Sequence, residues 1–350
     1  MKVFLLGILL ILCTVLGFYE SRRRLEAWGV EEMELAEPVQ VKLERGTSLS
    51  VFSKQLYEAK LVSHPNLFQW WVKFHADYSK FQAGPYRFEG IVSPLKISEI
   101  ISKGEIHQPV VLEFTIPEGF TLDKTIKRLA ALNVESEAVF RKICSDQSFI
   151  RSLGVEAQSL EGYLYPAKYI FTTFPTPEEA ISKPVQTFFE RLPEDYQAKV
   201  QAKGLTLNDA VTFASLIELE TKFEEEMLLV SEVIWNRLNR QMTLGIDAAV
   251  IYGIDDYRGN LTKKHLEDAS NPYNTRIHSG LPPTPIGSPS TPALLAVLTP
   301  SDFGYLYYVT DIGSGYRHSF SKTLSEHNEK VQKLIRDYRE LKRSGAFASE

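Results

Sequence analysis

Cysteine is nearly missing from this chain: 350 residues hold only Cys13 and Cys144. Cys13 lies inside the first apolar run. The remainder therefore has one thiol, which can neither close a disulfide within it nor build a cysteine zinc site. As a small buried hydrophobe, Cys144 needs no further role. The seven histidines are scattered without ligand spacing and no HExxH occurs, so no metal is expected. GxGxxG, Gly-x4-Gly-Lys-Ser/Thr and the GxSxG elbow are also absent. Dinucleotide, nucleotide and serine-hydrolase chemistry thus lack a signature, and no cofactor is expected. Nor is positive charge concentrated. With a net charge of −5 and no basic stripe to neutralise phosphates, nucleic acid is not an expected partner.

What is present is an ordinary globular composition, 44% hydrophobic and 24% charged, which supplies core material for two domains. The uncharged run from Val3 to Tyr19 would cover roughly 25 Å as a helix, just enough for a thin bilayer. An anchor and a cleaved signal peptide are the competing readings. No small-x-small site follows Gly17-Phe18-Tyr19, and bulky Leu12 before Cys13 does not suit a lipoprotein, so an uncleaved anchor over 1–20 is expected. Lys2 precedes the run and Arg22, Arg23 and Arg24 follow it. Taken literally, that asymmetry keeps the bulk of the chain in the cytoplasm. The rule weakens before a long domain, so the residues alone leave topology open.

A charged linker over 21–37 ends at Pro38. Alternation in Val39-Gln40-Val41-Lys42-Leu43 predicts a strand. Two helical patterns follow, through Leu49, Phe52, Leu56 and Leu61, then through Leu67, Trp70, Trp71 and Phe74. A turn at Ala83-Gly84-Pro85 leads into a second strand. Ser93-Pro94 opens a short helix that Gly104 closes. The expected fold is α+β: an N-terminal membrane helix, a small α+β module at 38–104, a larger α+β domain at 105–338 and a charged, frayed tail at 339–350. Within the larger domain a strand is predicted over 110–116, broken by Pro117-Glu118-Gly119. A helix capped by Thr121, a rigid aromatic loop at 160–166 and a helix around 178–191 follow.

The chemistry centres on a helix that opens with a capping box, Thr206-Leu207-Asn208-Asp209. At about 100° per residue, Glu218 shares a stripe with Leu207, Val211, Ala214 and Ser215, while Glu220 points nearly the other way with Phe213 and Leu216. A face of small side chains leaves room for a cleft, and desolvation there would raise a carboxyl toward proton donation. A structural Glu, paired with an arginine or capping a loop, fits the same periodicity. Opposite directions rule out Glu218 and Glu220 as a pair across one bond. Farther on, loops mix amide, hydroxyl and aromatic groups in Pro/Gly frames, an inventory that suits sugars.

These residues resemble the endolytic murein transglycosylases of the YceG-like family over about 38–335. Ala214-Ser215-Leu216-Ile217-Glu218-Leu219-Glu220-Thr221 is similar to the family's catalytic-helix motif. Leu160-Glu161-Gly162-Tyr163-Leu164-Tyr165-Pro166, Asn236-Arg237-Leu238, Tyr252-Gly253, Tyr273-Asn274-Thr275, Gly280-Leu281-Pro282-Pro283, and His318 with Phe320 recur in the family's order. Each alone is weak; together and in order they are specific. There are two departures. Gly245-Ile246-Asp247-Ala248-Ala249 stands where Gln-Thr/Ser-Asp-Pro-Thr is usual, and Ala167-Lys168 where Asp-Thr is typical.

The resemblance implies a LysM-like 38–104 module, a site on the outer side of the bacterial cytoplasmic membrane, and peptidoglycan glycan strands as substrate, with peptidoglycan synthases as companions. It implies non-hydrolytic cleavage of the MurNAc–GlcNAc bond, leaving 1,6-anhydro ends and terminating nascent strands. Glu218 would act as acid and then as base. Asn236, Arg237, Asp247, Tyr252, Tyr273, Asn274, Thr275 and His318 would contact or position substrate, although a structural role suits His318 equally. Two other outcomes stay open at this point: a hydrolase using Glu218 with Asp247, and a wall-binding scaffold without activity.

Overall fold

The computed structural model describes residues 2–344, with side chains from Leu12 to Arg343. The chain forms two compact units, Met1–Pro109 and Val110–Glu350, both mixed α+β. Every sheet among the described residues is a two-stranded antiparallel pair.

The first unit opens with helix α1 (Lys2–Gly29), which runs unbroken through the expected end of the anchor and into the expected linker. Its charged half stays helical because Arg22 pairs with Glu26, and Arg24 with Glu20, one turn apart. Leu25 is buried, and Trp28 donates from Nε1 to Ser63 Oγ at 2.8 Å. Most of the expected anchor lies outside the described side chains. Among the described residues no helix is long and apolar enough to cross a membrane.

After β1 (Met33–Glu34) comes β2 (Val39–Leu43), then α2 (Leu49–Glu58), α3 (Pro65–His75), β3 (Gly84–Phe88), β4 (Ile91–Val92) and α4 (Pro94–Lys103). β2 pairs with β3 from Val39↔Phe88 to Leu43↔Gly84, and β1 with β4. Phe52, Leu56, Phe68, Phe88, Ile97 and Ile101 fill the core. The helix starts follow their local chemistry: Ser48 Oγ accepts from Val51 N–H and Ser93 Oγ from Lys96 N–H. Gly104 ends α4 at φ 69°, where a side chain would be strained.

The second unit runs β5 (Leu112–Thr115), α5 (Leu122–Ala131), α6 (Glu137–Ser145), α7 (Gln147–Ser152), β6 (Lys168–Phe171), α8 (Pro177–Arg191), α9 (Tyr196–Ala202), α10 (Leu207–Glu220), α11 (Glu224–Asn239), α12 (Asp247–Tyr252), α13 (Lys263–Leu266), α14 (Thr291–Leu298), β7 (Tyr307–Asp311), β8 (Arg317–Ser321) and α15 (Leu324–Ser344). α10 is its axis. Every residue from Ala210 to Ile217 is buried, with α9, α11, α12 and α14 packed around it. The capping box at its start forms as expected, with Thr206 and Asp209 bonding reciprocally. β6 follows the aromatic loop and pairs with β5. The tail expected from 339 is helical through Ser344 as the continuation of α15, which packs along β7 and β8; residues 345–350 lie outside the described set.

α11 also anchors the approach to β7. Glu232 is 2% exposed, and its Oε1 accepts the backbone N–H groups of Phe303, Gly304 and Tyr305 at 2.8, 2.5 and 2.9 Å.

Candidate active site

Glu218 lies in the last turn of α10, half-buried, and burial pushes its carboxyl above the ordinary 4.5. Ser290, the N-cap of α14, works against that rise. Its hydroxyl and its backbone N–H both donate to Glu218 Oε2, at 2.5 and 2.8 Å. The negative charge of Glu118 adds to the rise.

Two distant segments bring these partners in. Gly119 N–H donates to Ser288 O and Ser288 N–H to Phe120 O, each at 2.8 Å, clamping the turn after β5 to the segment before α14. The approach is tight: a Cβ on Gly287 would sit 2.6 Å from Gly119 O, so only glycine fits. Ser215 accepts Ile286 N–H at 3.0 Å and seats the same segment on α10. The small-residue face of α10 is thus filled by backbone near Ser215, and not left open as expected. Small side chains let the segment approach closely, and Glu218 meets it at Ser290.

Glu220 is half-buried on the other side of the helix, as the periodicity requires. Burial raises its carboxyl too; a hydrogen bond from Tyr308 and the charges of His318 and Arg237 lower it, while Asp247 raises it. Three of the eight expected substrate residues therefore act on Glu220, and none of the eight hydrogen-bonds to Glu218.

Several of the eight spend their polar groups on the fold. Asn236 Nδ2 donates to Tyr305 O at 2.8 Å, and Arg237 Nε to Leu306 O at 2.7 Å. Asn274 is fully buried; its Nδ2 reaches Asp268 O at 2.9 Å and its Oδ1 accepts Arg276 N–H at 3.1 Å. Thr275 Oγ1 bonds both the N–H and the carbonyl of Ile246 at 2.9 Å. His318 Nδ1 lies 2.9 Å from the buried Glu226 carboxylate. Asp247 is paired with Arg276 at 2.7 Å. Tyr252 and Tyr273 stack edge-on at 4.8 Å, and Tyr273 Oη meets Thr284 Oγ1 at 2.9 Å. Sequence reasoning missed Ser290, Glu118 and Glu232. Only Ser290 had a local signal, the cap sequence Ser290-Thr291-Pro292.

Tyr252 donates to another buried carboxylate, Glu161, at 2.9 Å. Glu161 also accepts Leu122 N–H on both oxygens, yet burial pushes it from 4.5 up to about 7. The folded chain therefore keeps a proton that the unfolded chain releases above about pH 4.5. The resulting stabilisation is complete below that pH and lost as pH rises to about 7. Melting curves should show the wild type losing stability between about pH 5 and 7 relative to Glu161→Gln, which carries no titrating group there. Parallel pH dependences for the two proteins would contradict this.

The model of the YceG-like family matches residues 41–333. The endolytic murein transglycosylase of Streptococcus pneumoniae strain D39 is 29% identical over 327 residues, which cover 85% of this chain and 58% of the relative. The chain thus spans less than two thirds of the streptococcal protein. The Bacillus subtilis endolytic murein transglycosylase is 28% identical, with 85% of each chain covered. A crystal structure of a YceG-like protein from Listeria monocytogenes superposes with a TM-score of 0.57 at 28% identity, covering 84% of this chain and 99% of that one. With most of both units inside the family match, the chain belongs to the YceG-like family.

Proposed function

We propose that this protein is a peptidoglycan lytic transglycosylase, with Glu218 as its acid and then its base. The observation that carries the reading is a half-buried carboxyl, raised by desolvation and held in one orientation by both donors of Ser290. A carboxyl whose ionised form burial disfavours can donate its proton to the glycosidic oxygen as the oxocarbenium-like state develops. The resulting carboxylate takes the proton of the MurNAc 6-hydroxyl as that oxygen closes on the anomeric carbon. No water enters, and the nucleophile is already part of the substrate. The names borne by the pneumococcal and B. subtilis relatives support the same reading.

Mass spectrometry of digested glycan strands tests it: 1,6-anhydro ends are one water lighter than reducing ends. Reducing ends would instead indicate hydrolysis. The second carboxylate would then be Glu118, since the charge of Asp247 acts on Glu220. Binding without cleavage would indicate a scaffold.

Further parts of the proposal concern placement. The Val3–Tyr19 run anchors the chain in the cytoplasmic membrane, the second unit faces the wall, and peptidoglycan synthases work beside it on nascent strands. The β2–α2–α3–β3 order of the first unit supports a LysM-like role in holding glycan. A reporter fused to the C-terminus and active in the cytoplasm would contradict this placement.

A further inference from the structure

A large cleft lies at the opposite end of α10 from Glu218. Its volume is about 1240 Å³, more than the roughly 300–1,000 Å³ typical of a small-molecule pocket. Arg151 of α7, Glu156, Gln197 and Gln201 of α9, and Asn208 in the first turn of α10 line it. Gln197 and Gln201 stand one turn apart on the same helix face. Arg151, Glu156, Gln197 and Gln201 are exposed, and none of the four makes a side-chain hydrogen bond or ion pair among the described residues. We propose that this cleft binds the peptide stem carried by a peptidoglycan strand. The choice of ligand rests on the reaction assigned to Glu218 above.

The lining fits a peptide by its chemistry. Each primary amide offers two N–H donors and a carbonyl acceptor, which matches the alternating groups of a peptide backbone. The Arg151 guanidinium can fork onto a stem carboxylate. Glu156 on the same rim suits the amine of a diamino acid. Sugar rings would call for an exposed aromatic face. Here Tyr163 is buried and donates to Asn208 Oδ1 at 3.3 Å, and Phe189 is half-buried.

The cleft is also tied to the site. From Asn208 to Glu218 is about 15 Å along the helix axis. Pro283, Thr284 and Pro285 line the cleft, and the same segment continues to Ser290 on the Glu218 carboxyl. A strand engaged at Glu218 would carry a neighbouring stem within reach, so the cleft would select strands that still bear peptides.

Two measurements on the full chain test this, with Arg151→Glu and, independently, Gln197→Ala combined with Gln201→Ala. These side chains are exposed, so the core is untouched. In calorimetric titration with a synthetic stem pentapeptide, the wild type should bind and each variant should bind at least about tenfold more weakly. In cleavage assays, kcat/KM on peptide-bearing strands should fall about tenfold in the variants, to the wild-type level on amidase-stripped strands. Cleavage of stripped strands should not change. Failure of the wild type to bind the pentapeptide, or equal affinity in the variants, overturns the inference even if strands are cleaved. Pentapeptide binding that the variants lose, with no strand cleavage by the wild type, would instead overturn the reaction assigned to Glu218 and leave the cleft as a peptide site.

Discussion

Glu218→Gln should lower the formation of 1,6-anhydro ends by roughly 10³-fold while leaving the thermal melt unchanged within a degree or so. The amide keeps the size and the acceptor oxygen that Ser290 engages at 2.5 and 2.8 Å, but it has no acidic proton to give. Wild-type rates in the variant, measured on purified glycan strands, would remove Glu218 from the mechanism. Ser290→Ala should separate chemistry from position. The hydroxyl bond holds the carboxyl down against burial, so its loss moves the Glu218 value further up. An acid that must be protonated then works to higher pH, and the alkaline limb of the pH–rate profile shifts upward. A downward shift would mean that the Ser290 hydroxyl does not favour the ionised carboxyl.

The largest effect on stability should come from Glu232→Ala. One oxygen of that carboxylate serves the N–H groups of Phe303, Gly304 and Tyr305 in a place 2% exposed. Truncation strands these donors and opens the approach to β7. The expected loss is about 3 kcal/mol, which for a unit of this size lowers Tm by roughly 6–12 °C. Glu232→Gln keeps an acceptor oxygen and should lose less. Equal losses in the two variants would show that charge, and not the acceptor, matters there.

Helix starts were legible in the sequence because they are local events. Ser48, Ser93, Thr121 and Thr206 each accept the N–H three residues on, so each cap can be read from its own few residues. β6 was not legible. Lys168–Phe171 is short and becomes a strand only by pairing with β5, on the far side of three helices in the chain. The direction of Glu218 followed from periodicity; its partner Ser290 did not, since that hydrogen bond depends on how α14 docks. The recurring motifs pointed to residues that matter without saying how. Asn274 and Thr275 recur in the expected order, yet both face inward and organise the loops near α12. A motif marks where substitution is costly, and only the contacts tell scaffold from reagent.

The clamp between Gly119 and Ser288 has a consequence for the order of assembly. Its partners Gly119 and Ser288 are far apart in the chain, and such long-range contacts form late because loop closure must precede them. During synthesis, α10 can be complete while Ser290 is still untranslated. Glu218 would then face solvent with the acidity of any surface glutamate. In the role proposed for Glu218, the raised acid would therefore exist only once the fold has closed, and a partly made chain would lack it.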